Sequence, residues 1–303
     1  MSKPFLKFVR RHLPSPVERL ALIAAGAKVR LATSRPSRSL HDGAACTSLE
    51  IRDVDSLVAL GPAIELPELL PSLPHWSLRE ARGHWQVVFT QCQGMAYRLL
   101  WGQSLGPFAT IESKASSFIF PSFVKRTHDV EGPPDLLATS VLSGSTLCLF
   151  RHDVTSWKMH ELSENVERAH WIHSDGLDVV VFKRKAWGLA NGASEMQGEL
   201  YVAVLDQNLK MPITYKLPLD PVYDFDVQWV DGSIALFFAG PTSAGLRLLA
   251  PDWSIRSLGE LDSNGIGQIF QPRLAVCGKQ ASLAYLERGA DLTCLCIASL
   301  PLP

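Results

Sequence analysis

The chain offers few residue groupings that can do chemistry. The first is Tyr223-Asp224-Phe225-Asp226-Val227, where carboxylates alternate with apolar residues. On a β-strand, residues i and i+2 point to the same face, so Asp224 and Asp226 share one. Two carboxylates on one face suit a hard cation, or the acid and nucleophile of glycoside hydrolysis. Hydrolysis requires a partner acid roughly 5–10 Å away, which the sequence does not single out. His170 and His173 lie at i, i+3, on opposite faces of a regular strand, which argues against a shared metal. The pairs His41-Asp42, His128-Asp129 and His152-Asp153 are adjacent residues and read as turns rather than catalytic dyads.

No GxSxG elbow, HExxH, P-loop or GxGxxG string occurs, and no cofactor is expected. Gly240 to Gly245 forms a flexible loop without the lysine and helix of a phosphate cradle. The six cysteines (Cys46, Cys92, Cys148, Cys277, Cys294 and Cys296) include no CxxC. They read as core thiols of a reducing compartment, with Cys294 and Cys296 on one strand face. Eight tryptophans mostly fall at strand positions, where packing explains them. Trp187 differs, because it sits in Lys183-Arg184-Lys185-Ala186-Trp187-Gly188, inside a long loop over about 183–198. Long loops on a rigid scaffold carry function, so Lys183, Arg184, Lys185 and Trp187 are expected to bind a partner.

The elements that position these residues are strands. Helical periodicity is nearly absent, and short runs of Val, Leu, Ile and Phe alternate with Gly, Pro, Asp and Ser. These runs repeat. Gly26, Gly83, Gly132, Gly176, Gly232 and Gly278 each separate two apolar strands, at a mean spacing of about 50 residues. Asp175-Gly176 and Asp231-Gly232 are strong hairpin signals. A second series, Gly43, Gly94, Gly144, Gly198, Gly245 and Gly289, precedes a third strand each time. A more polar fourth strand usually follows, as in 156–162 and 211–217.

Six four-stranded units packed radially resemble a β-propeller, over almost the whole chain. The expected fold is all-β: one six-bladed domain over 1–303, with blades near 17–70, 75–112, 116–163, 167–218, 222–262 and 266–303. The last unit lacks a fourth strand, and the N-terminus carries an unassigned one. The segment 6–26 aligns with 157–176 through a shared Val-Glu-Arg, so residues 1–13 are expected to close the sixth blade. No WD40, kelch or Asp-box pattern accompanies the architecture. Some bacterial immunity proteins are small propellers without such patterns, a likeness of fold only.

Charge adds one asymmetry. The net charge is −1, but residues 1–40 hold nine bases against the single acid Glu18. In a closed ring these bases fall on one sector of the rim. Lys7, Arg10 and Arg11 are therefore expected to dock an acidic protein partner. The acidic remainder and the lack of a basic-aromatic motif argue against nucleic acid. No apolar run is long enough to span a bilayer. Charges and prolines interrupt the one signal-peptide-like stretch, so the expected location is cytoplasmic, with secretion the alternative. The functional expectation is a non-enzymatic, protein-binding propeller of scaffold or toxin-neutralising type. The rival is a glycan-active or cation-binding enzyme or lectin-like propeller that uses Asp224 and Asp226 at its central channel.

Overall fold

The computed structural model describes residues 6–11, 17–38, 43, 45–67, 76–93, 96–104, 107–111, 117–126, 133–141, 145–153, 155–185, 197–261, 268–288 and 293–303. Strand β1 (Val9–Arg11) comes first. Blade 1 is β2 (Arg19–Ala25), β3 (Lys28–Arg38), β4 (Ala45–Asp53) and β5 (Ile64–Pro67). Blade 2 is β6 (Trp76–Ala81), β7 (His84–Gln93), β8 (Ala96–Gln103) and β9 (Ala109–Thr110). In blade 3, β10 (Phe118–Phe123) is followed by the two-residue β11 (Lys125–Arg126). The blade continues with β12 (Leu136–Ser140), β13 (Thr146–His152) and β14 (Trp157–Ser163). Blade 4 is β15 (Val166–Ser174), β16 (Leu177–Lys185), β17 (Gly198–Val204) and β18 (Ile213–Lys216). Blade 5 is β19 (Asp224–Val230), β20 (Ser233–Ala239), β21 (Ala244–Leu249) and β22 (Ile255–Glu260). Blade 6 is β23 (Gln268–Cys277), β24 (Gln280–Arg288) and β25 (Thr293–Pro301), with β1 on its outer edge.

The protein is a six-bladed β-propeller. Each blade is an antiparallel meander, and the first-to-second turns follow from local chemistry. Asp175 (φ 52°) and Gly176 (φ 74°) both take the left-handed conformation that a two-residue type I′ hairpin demands. Asp231 and Gly232 do the same. Blade 3 departs from the pattern. Its first two strands are joined by a longer segment that contains Gly132, which lies outside the described residues. That segment begins with β11, which pairs in parallel with β15 and makes the fourth sheet five-stranded.

One blade cannot bury both its faces, and the packing shows how the ring solves this. Six apolar clusters occupy the six interfaces between neighbouring blades. Ile23 and Leu49 of blade 1, for instance, pack with Trp76 and Phe89 of blade 2. Leu20 and Leu31 of blade 1 pack with Leu286 and Leu295 of blade 6, which closes the circle. At about 25 cal/mol per Å² of apolar surface, each such interface is a main source of stability.

The N-terminus seals the last blade. Val9, Arg10 and Arg11 pair with Ile297, Cys296 and Leu295. Phe8 lies between blades 5 and 6, 6.4 Å from the ring of Phe237 and 4.9 Å from that of Tyr285. The Leu6 amide donates to the Glu260 carbonyl at 3.0 Å, and the Arg10 guanidinium pairs with Glu287 at 3.2 Å. Deleting residues 1–13 therefore exposes the outer edge of β25 as a template for pairing with other chains. We expect the truncated chain to lose its cooperative melt or to aggregate; a melt like that of the full chain would refute closure. Phe8→Ala should cost about 2 kcal/mol by the lost apolar burial, read as a lower melting temperature.

Candidate site at the central channel

The first strands of the blades line the axis, and those of blades 4, 5 and 6, with the short β11, form one charged cluster. Asp224 opens β19 and accepts from Arg168 of β15 and, at 2.9 Å, from Arg273 of β23. Asp226, two residues on and on the same face, accepts the Lys125 ammonium at 2.6 Å. Its other oxygen accepts the Leu274 amide at 3.0 Å. Lys125 also donates to the Val227 carbonyl. Behind Arg168, Lys183 pairs with Glu167 at 3.0 Å and donates to the Tyr223 carbonyl. The expectation that Asp224 and Asp226 share a channel face agrees with this geometry.

Their electrostatics exclude the simplest catalytic use of the pair. Burial alone would push the Asp226 carboxyl up, but Lys125 first and Arg273 with it hold it down at about 2. Asp224 is likewise buried, and Arg168, Arg273 and Lys183 keep it well below the usual carboxylate range. Both stay ionised at neutral pH, so neither donates the proton that a leaving glycosidic oxygen needs. His170 is buried beside Lys125, and its pKa falls far below the ordinary value through burial first and that positive charge second. It is neutral, with Nε2 at 3.3 Å from the Phe225 carbonyl.

Arg19 opens β2 on the other side of the axis. It is buried, and its Nη1 has no hydrogen-bond partner among the described residues. Its guanidinium lies 5.8 Å from the centre of the Trp76 ring, a cation–π contact that fixes it in place. Burial lowers its pKa, and repulsion from Arg273 and Arg168 adds to the effect. A cavity of about 260 Å³ runs beside it down the channel. Five cations line that cavity (Arg19, Arg79, Lys125, Arg168 and Arg273), against Glu80 and Asp226. Counting Asp224 behind them still leaves the cluster positive. A buried surplus of positive charge favours an anionic guest.

The other expected site residues lie elsewhere. Lys183, expected in an exposed docking loop, is buried in the channel wall, because β16 runs three residues further than a loop at 183 allows. Arg184 rests 5.1 Å from the Phe182 and Tyr201 rings and donates to Ser163. The Lys185 side chain and Trp187 lie outside the described residues. Lys7 and Arg11 are exposed, whereas Arg10 fastens β1 to Glu287. The basic sector of residues 1–40 is partly neutralised within its own blade, Arg30 by Asp53 and Arg35 by Glu50, and Arg19 belongs to the channel rather than the rim. His152 packs edge-on against Trp157, and Asp153 accepts the Thr155 and Ser156 amides, so that pair is a turn. His41-Asp42 and His128-Asp129 lie outside the described residues. Sequence reasoning missed Arg19, Arg168 and Arg273. The shared Val-Glu-Arg was visible, but as an alignment mark rather than as two arginines meeting at an axis.

No protein-family model matches the chain, and no curated protein does. Solved structures do match. Trypanosoma rangeli sialidase aligns with a TM-score of 0.59 at 8% identity, over 98% of this chain and 55% of its own. The likeness is one of fold. A second structure of that sialidase, in complex with sialic acid, gives 0.53 at 9% identity, over 97% of this chain and 57% of its own. A subtype N10 neuraminidase-like protein of a little yellow-shouldered bat isolate gives 0.52 at 11% identity, over 98% of both chains. The chain thus spans little more than half of the sialidase. These matches correct the expectation of a non-enzymatic, protein-binding propeller: the similar solved propellers are named for sialidase and neuraminidase, not for docking. The buried ion network corrects the docking role given to Lys183.

Asp224 and Asp226 make the axis sensitive to acid. Their depressed pKa values contribute stability that is fully present above the unfolded carboxylate value near 4. It is lost as pH falls through about 2. Melting temperature should therefore drop steeply below pH 4. Asp226→Asn breaks a buried pair and should cost about 3–5 kcal/mol, leaving Lys125 without its counter-charge. A variant that melts like the parent at pH 7 and loses nothing between pH 4 and 2 would show that this network does not hold the axis.

Proposed function

We propose that this chain is a glycan-active propeller that takes an acidic sugar at the mouth of its central channel. The observation that carries the reading is the buried excess of guanidinium and ammonium groups along a cavity large enough for a sugar ring. A carboxylate is the natural guest for such groups, because it accepts two parallel hydrogen bonds from one guanidinium. The sialidase fold-neighbours, one of them in complex with sialic acid, support a carboxylated sugar over a neutral one. Glycan work with Asp224 and Asp226 as the reacting carboxylates does not fit, since both are committed to cations. Their part is to hold Arg168, Arg273 and Lys125 in place.

Titration calorimetry with sialic acid, glucuronic acid and galactose tests the specificity. The acidic sugars should bind at least about tenfold more tightly than galactose, the difference expected from one charge-assisted hydrogen bond. Equal binding of galactose would overturn the reading.

A further inference from the structure

The ring is built twice. Val17-Glu18-Arg19 enters blade 1 and Val166-Glu167-Arg168 enters blade 4. Each arginine stands six residues before the residue that closes its hairpin, Ala25 and Ser174. Blades 3 and 6 share a rarer device. Phe120 and Gln271 take φ of 52° and 53°, each directly before a proline, inside a bulge of the first strand. Side chains other than glycine seldom adopt that conformation, so its recurrence at matching places is a sign of equivalence. The residue after each proline reaches the next blade: Ser122 donates to the Ala169 carbonyl and Arg273 to the Leu20 carbonyl. Ala169 follows Arg168 and Leu20 follows Arg19, so even the targets correspond.

The two halves differ in charge. In the register of blade 4, Arg168 faces Lys183; in that of blade 1, Arg19 faces Ser34. Counting back from the blade 5 and blade 2 hairpins pairs Asp226 with Ser77. The bulges pair Arg273 with Ser122. Three charged side chains of one half are thus serines in the other. The counterpart of Asp224 is His75, outside the described residues. Arg19 keeps its place but has lost the carboxylate that its counterpart Arg168 grips. The cavity lies against this emptied half, with Ser77, Ser122 and residues 19–24 of β2 in its wall.

We infer that the emptied half is an anion subsite in which a ligand carboxylate meets Arg19, in the place where the other half uses its own aspartates. Trp76 holds the guanidinium from one side, and Arg19 lines the cavity where the guest would lie. Ser77 supplies a hydroxyl donor, and Ser77 and Ser122, being small, leave the room. Phe120, half-buried in the cavity wall, gives the guest an apolar face to rest on. The sugar part of this inference rests on the proposed function; the carboxylate part does not.

Ser77→Asp restores the missing carboxylate and separates the possibilities. We expect this variant to melt several degrees higher than the parent and to lose at least about tenfold in affinity for both acetate and sialic acid. Ser77→Asn, similar in size but uncharged, should bind both within about threefold of the parent. The readouts are calorimetry and the melting shift in sodium acetate against sodium chloride at equal ionic strength. If the parent binds acetate and Ser77→Asp does not, while no acidic sugar binds either, the subsite stands and the glycan reading falls. If Ser77→Asp binds acetate and sialic acid like the parent, or the parent binds neither, the subsite is refuted. Should Ser77→Asp fail to fold, Arg19→Lys decides: loss of the planar fork should weaken acetate binding about tenfold, and unchanged binding refutes the role of Arg19.

Discussion

Two carboxylates on one face of one strand organise this ring. Asp224 and Asp226 lie where water is scarce, and each would be costly to bury alone. Cations from blades 3, 4 and 6 converge on them and make their burial tolerable. The converse also holds, since Arg168 and Arg273 lie close enough to repel each other and need Asp224 between them. The apolar clusters between blades supply most of the adhesion but little direction. The ion network sets which first strands meet at the axis and how closely.

That arrangement is lopsided, and the lopsidedness gives the channel its character. Where blades 4 to 6, with Lys125, fill the axis with paired charges, the facing half presents serines, a tryptophan and Arg19, for which no ion pair is seen among the described residues. A duplicated frame lets one half act as scaffold while the other accepts a guest, because the scaffold half fixes the geometry that the open half would otherwise lack. The strained Phe120 and Gln271 fit this division. Gln271 uses its position to fasten blade 6 to the Leu20 amide and the Glu18 carbonyl, whereas Phe120 faces the cavity.

Closure of the ring is the other constraint. A propeller whose last blade lacks an outer strand leaves an edge, and here the chain's own beginning covers it. The short β1 is held by its three paired residues, by Phe8 between two blades and by the Arg10–Glu287 pair. Of the bases near the start of the chain, Arg10 fastens β1 to blade 6 and Arg19 is drawn to the axis, while Lys7 and Arg11 stay exposed.

The repeat architecture was legible in the sequence because it rests on local physics. Glycines mark turns that need positive φ, alternating apolar residues mark strands, and a missing fourth strand with a surplus one at the start implies closure. Asp224 and Asp226 were legible as a pair sharing a face for the same reason, since the period of a strand is fixed. Their chemistry was not. Whether a carboxylate is a catalyst, a cation ligand or an internal counter-ion depends on what stands within about 4 Å of it, and those partners lie 49 to 101 residues away. Lys183 shows the same limit, as nothing local distinguishes a lysine in an exposed loop from one aimed at a buried glutamate. The sequence by itself determined the six blades, their turns except the first of blade 3, and the closing strand, because each follows from neighbours along the chain. Only the tertiary structure decided which charges meet at the axis and which half stays open, because charge pairing there is set by distance through space.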